Sequence, residues 1–144
     1  MTESEDGKLS QILAFMDRKT KAIQEIRDLI AKPMESNQEI ISLEIKKKAD
    51  EIFGCLTSMA AIVGGGASQK MDNEIEQLQE QWLWLVNASN VFHLGLNKIP
   101  QTEWWLTNAN TVHVRLDGKR KLQVEGKINP ISGDVGGGFS LENR

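Results

Sequence analysis

The chain has 144 residues, 40% of them apolar, and a formal net charge of −3 from 17 basic and 20 acidic side chains. That is one ordinary domain with enough apolar content for a core, which excludes a disordered chain, and the near-balanced charge excludes the strongly basic make-up of a general nucleic-acid binder. Cys55 is the only cysteine, so no intrachain disulfide forms, and the acidic start Glu3, Glu5, Asp6 is unlike the basic leader of a secreted protein.

An acidic N-terminal arm over residues 1–8 comes first. The 3-4 spacing of Leu9, Ile12, Met16, Ile23, Ile26 and Ile30 then predicts a helix over about 9–32, because such a seam is built to bury against other helices. Lys19 falls on the d position between Ile12 and Ile26. A lone polar residue there either fixes register and oligomer number or marks a solvent-facing end of the seam. Pro33 denies the next turn its hydrogen bond and stops the helix.

Ser36-Asn37-Gln38-Glu39 has the form of a capping box, and a second helix over 37–63 follows with Ile45, Ala49, Ile52, Leu56, Met59 and Val63 on one face. Gly64-Gly65-Gly66 ends it. Ser68 is then the expected cap of a third helix reaching about residue 90, with Met71, Ile75, Leu78, Trp82 and Leu85 in its seam. Leu9, Ile45 and Met71 fall in three different heptad phases. Short connections suit an antiparallel three-helix bundle, whereas stutters are compatible with a long parallel rod.

From Lys98 onward the period changes to two. Val112, Val114 and Leu116 alternate with His113 and Arg115, and Leu122 and Val124 alternate with Gln123 and Glu125, which predicts a β-hairpin inside a small β module over 98–144. A three-residue loop Asp117 to Lys119 pairs Val114 with Leu122 and keeps the apolar side chains on one face. Asn129 to Asp134 is turn chemistry, and Val135 to Leu141 is a further short strand or a tail. The module is too small to bury a core alone and needs a partner surface, either the helical part of its own chain, with Trp104, Trp105 and Leu106 as the docking cluster, or the equivalent hairpins of sister subunits. The fold class is therefore mainly α with a small β appendage.

No constellation carries chemistry. The two histidines, His93 and His113, lack companions at metal-ligand spacing, and Cys55 sits among Phe53, Leu56 and Met59 as a packing residue. Gly64 to Lys70 lacks the second glycine and the Ser/Thr of a phosphate loop. Asn87-Ala88-Ser89 matches a glycosylation sequon but lies on a predicted helix. No catalytic, cofactor-binding or metal-ligating residue is expected, so the protein reads as non-enzymatic and without a cofactor. The longest apolar run, Met59 to Val63, falls far short of the roughly 20 residues needed to cross a bilayer.

Two clusters are candidate partner-binding groups. Arg115, Lys119, Arg120, Lys121 and Lys127 give residues 112–128 a net charge of +3 against Asp117 and Glu125. Such a ribbon grips phosphates or an acidic partner, although edge-guarding lysines explain it more cheaply, and nucleic acid is not the expected partner. Trp82 and Trp84 point about 200° apart on a helix, so one of them meets something outside the seam. Trp84, Trp104 and Trp105 are the candidate aromatic contacts.

An acidic start, heptad helices and a compact glycine-punctuated β segment together resemble short bacteriophage fibre and baseplate proteins. The residues that carry this are Leu116-Asp117-Gly118-Lys119 and Leu122-Gln123-Val124-Glu125-Gly126-Lys127-Ile128, which resemble the strand-glycine units of trimeric virion fibres. The resemblance implies a homotrimer attached to a virus particle alongside other structural proteins, with a structural or receptor-binding role and no catalysis. The competing reading is a cytosolic helical-bundle adaptor whose basic hairpin meets nucleic acid or an acidic partner. The virion or the cytoplasm is the expected location.

Overall fold

The computed structural model describes residues 2–32 and 38–129. Within them lie helices α1 (Thr2–Ile30), α2 (Gln38–Val63), α3 (Gly65–Phe92) and α4 (Pro100–Thr111), then strands β1 (His113–Leu116) and β2 (Leu122–Glu125). The protein is mainly helical with a small antiparallel hairpin at its C-terminal end, as the periodicity predicts. The capping box at Ser36 and the segment Val135 to Leu141 fall outside the described residues.

The three predicted seams close on one another within one chain. Ile12, Ile23, Ile26, Ile45, Ala49, Ile52, Leu56, Met59, Met71, Ile75, Leu78 and Leu85 are all buried, while Leu9, Met16, Ile30, Val63 and Trp82 lie half-buried at the margins. Ion pairs Arg18–Glu51 at 3.7 Å and Lys48–Glu25 at 3.0 Å run in opposite senses along α1 and α2, so those helices are antiparallel. The hydrogen bond with Glu25 holds the Lys48 ammonium above its usual range. The reversal into α3 takes two residues, Gly64 at φ 67° and Gly65 at φ 64°, both in the region that favours glycine. Of the two arrangements compatible with the phase breaks, the antiparallel bundle is the one formed.

Three boundaries differ from expectation. Residues 2–8, expected as part of an acidic arm, belong to α1, which begins at Thr2. Helix α3 begins at Gly65 and its N-cap is Gly64, so Ser68 lies inside the helix and its N–H donates to the Gly64 carbonyl at 3.1 Å. The stretch 98–144 is not wholly β: Pro100 at the first helical position and Glu103 in the first turn open α4, which buries Trp105, Leu106 and Ala109. With only 12 residues, its apolar pattern is too short to stand out from the hairpin that follows.

Two buried charges fasten this C-terminal part to the bundle. Lys19, only 1% exposed, extends from α1 and donates its ammonium protons to the carbonyls of Asn110, at 3.1 Å, and Val112, at 2.5 Å. It thereby caps the carbonyl end of α4, where a positive charge also meets the helix dipole favourably. The d-position lysine is thus an internal fastener and not a solvent-facing end of the seam. From α3, buried Glu74 accepts the Ile128 N–H at 2.8 Å, just beyond β2. Asn108 adds its side-chain oxygen to the Asn129 N–H at 3.2 Å. Gly126, at φ 93°, crosses the end of α4 so closely that a Cβ there would stand 2.1 Å from the Thr111 carbonyl oxygen.

Burial lowers the Lys19 pKa to about 8, with the nearby Cys55 opposing, while burial pushes the Cys55 thiol up from 9.0. Between pH 8 and 9 the unfolded chain therefore binds more protons at Lys19 than the folded one, which makes stability rise with pH, whereas the raised Cys55 thiol keeps its proton longer in the folded chain and makes stability fall. In denaturant titrations Lys19→Met should tilt the pH dependence downward and Cys55→Ala should steepen it upward. Gly126→Ala should cost at least about 2 kcal/mol in the same assay, since the strained φ and the backbone clash cannot both relax.

Candidate interaction surfaces

The predicted partner-binding residues separate into buried and exposed sets. Trp105 belongs to the core, which corrects its assignment as a partner contact: it is fully buried, its indole N–H donates to the Leu78 carbonyl at 2.9 Å, and Phe53 meets it edge-on at 5.8 Å. Trp82 tilts against it at 5.0 Å. Together these rings fix α4 against α2 and α3. Trp84 and Trp104 are half-buried. Trp104 lines a shallow depression with Glu103, Thr107 and Lys127. There the Arg27 guanidinium, 2.6 Å from the Glu103 carboxylate, holds that acid below its usual range.

The hairpin presents its basic residues unequally. Arg115 is engaged, its Nε 2.8 Å from Glu125, whose other oxygen meets His113 at 2.5 Å. Lys119, Arg120 and Lys121 stand exposed at the tip. Strand pairing matches Val114 with Val124 and Leu116 with Leu122, two residues off the expected register, so the loop spans Asp117 to Lys121. The cause is Asp117, whose carboxylate accepts the N–H groups of Lys119 and Lys121 at 2.8 Å each and the Gln123 amide at 2.6 Å. Those bonds, led by Lys121, hold its pKa below the usual range. A shift of two keeps the same side chains on the inner face, which is why alternation alone does not distinguish the registers. Arg120 takes φ 63° at the turn position that usually favours glycine.

A groove of about 960 Å³ opens at the end of the bundle where α1 finishes and α2 starts. Its walls include Leu29 and Ile30, Leu43 and Ile45, and Leu83 and Val86, with Lys32, Lys46 and His93 also lining it. Of the five exposed large apolar side chains among the described residues, Leu43 (62%), Leu83 (60%) and Leu94 (37%) line this groove, and Val91 (65%) follows Asn90 on the same helix. Leu83 is the one apolar member of an exposed face of α3 that also carries Glu76, Glu80, Asn87 and Asn90, and Leu94 lies beyond the helix, after the left-handed C-cap at His93.

Among the described residues no three His, Cys, Asp or Glu side chains gather in a group able to hold a metal ion, and no helix is long and apolar enough to cross a membrane. Comparison with known protein families, curated proteins and solved structures finds no match to this chain. The two neighbouring tryptophans provide the clearest check on core versus surface roles. Trp105→Ala should lower the unfolding free energy by about 3–5 kcal/mol, whereas half-buried Trp104→Ala should cost clearly less in the same denaturation series.

Proposed function

We propose that this protein is a non-catalytic structural component that associates with copies of itself and with other proteins of a larger assembly, a tail- or fibre-type particle being the version we favour. One observation carries the reading. The three heptad seams are filled within a single chain, yet among the described residues three exposed leucines, Leu43, Leu83 and Leu94, edge an apolar groove at one end of the bundle. Patches of that kind mark sites of protein–protein contact. Filling of the inner seams also removes the reason for three parallel chains, so association uses outward surfaces.

A second reading rests on the hairpin tip, where Lys119, Arg120 and Lys121 are exposed while the nearest acid, Asp117, is occupied in shaping the loop. It makes the protein an adaptor for a polyanion. Light scattering over a wide concentration range separates the two. Self-association that survives Lys119→Glu with Lys121→Glu supports the structural reading. A monomer that gains mass only with added nucleic acid, with a steep salt slope lost in that double variant, supports the adaptor and overturns it.

A further inference from the structure

We propose that the hairpin tip docks an acidic segment of another protein, with Arg120 as its central contact; this deepens the reading that the chain meets other proteins of an assembly and names where. Of the four arginines among the described residues, Arg18, Arg27 and Arg115 each meet a glutamate. Arg120 alone forms no ion pair, and it stands exposed between the exposed cations Lys119 and Lys121. The Asp117 carboxylate is drawn into the loop by the N–H groups of Lys119 and Lys121 and by the Gln123 amide. It offsets Lys119 in part and leaves the tip net positive.

The backbone points to the same side chain. Arg120 takes φ 63°, where glycine is the low-strain residue, whereas Gly118 is not among the positive-φ glycines and a Cβ added to it would meet nothing within 4 Å. The loop thus keeps a glycine where none is required and an arginine where one is strained. Packing does not hold the exposed Arg120 there, and strain of this kind is characteristic of functional positions. A guanidinium fork matches a carboxylate through two hydrogen bonds, so a run of Asp or Glu suits three adjacent cations. Nucleic acid suits them less well. Residues 112–128 include no Phe, Trp or Tyr on which a base could stack, the cations occupy one loop and not a long strip, and the chain as a whole is net negative.

The test uses the full chain and labelled decaglutamate as the probe, read by fluorescence anisotropy at low salt. The chain should bind it, and Arg120→Gly should weaken binding at least about fivefold while melting no lower than the parent. Arg120→Lys, which keeps the charge and loses the fork, should fall between the two, and Lys70→Ala, at an exposed lysine of α3, should bind as the parent does. No binding, or equal binding by the parent and Arg120→Gly, overturns this site, as does an Arg120→Gly chain that melts lower. Self-association seen by light scattering leaves the structural reading standing in each of those cases. A short DNA duplex bound more tightly than decaglutamate through the same residues overturns this inference, and the structural reading with it where the chain is monomeric.

Discussion

A lysine ammonium taken out of water needs oxygen atoms to replace the water it loses, and Lys19 finds them on the last carbonyls of α4. That contact ties the first helix of the chain to residues more than ninety positions later. Glu74 makes the opposite arrangement, a buried carboxylate accepting a backbone N–H beyond β2. Both bonds go to backbone atoms, so they fix where the chain runs independently of the side chains found there. The hairpin is consequently part of the bundle, held before its first strand by a cation and after its second by an anion.

This arrangement explains how a two-stranded ribbon, marginal in isolation, persists here. Its inner face supplies Val114 and Val124 to the common core, along with Val112 before it and Ile128 after it. Tertiary support comes from α4, whose Trp105 joins Phe53 of α2 and Trp82 of α3. The buried seams, the aromatic cluster and the two charged fasteners form one continuous interior. What remains on the described surface is then distinctive: a basic tip at one place, and an apolar groove edged by Leu43, Leu83 and Leu94 at another.

Much of the fold was legible because periodicity is a direct record of burial. Ile12, Ile26, Ile52 and Leu78 sit at 3-4 positions and are fully buried, and Val114 and Val124 sit at period-two positions and face inward. What stayed hidden depended on partners distant in sequence. Nothing local to Lys19 reveals that its ammonium meets Asn110 and Val112, so its role was undecided between register and solvent. Trp105 reads in the sequence both as a docking residue toward the helices of its own chain and as a contact for another protein, and only the approach of Leu78 and Phe53 decides for the first. The hairpin register was lost to Asp117, whose side-chain bonds lengthen the loop without altering alternation. The groove escaped because Leu29, Leu43 and Leu83 lie on three different helices and meet only when those helices pack.

The central claim is that helices and hairpin form one cooperative body held by the Lys19 and Glu74 contacts. Native-state hydrogen exchange tests it most directly, read amide by amide on the full chain. The account predicts that Val114, Val124 and the interior amides of α4 open with the same free energy as those of Ile26, Ile52 and Leu78, in a single global unfolding. Exchange of the α4 and hairpin amides through a separate low-energy opening, with the α1–α3 seams still closed, would contradict it.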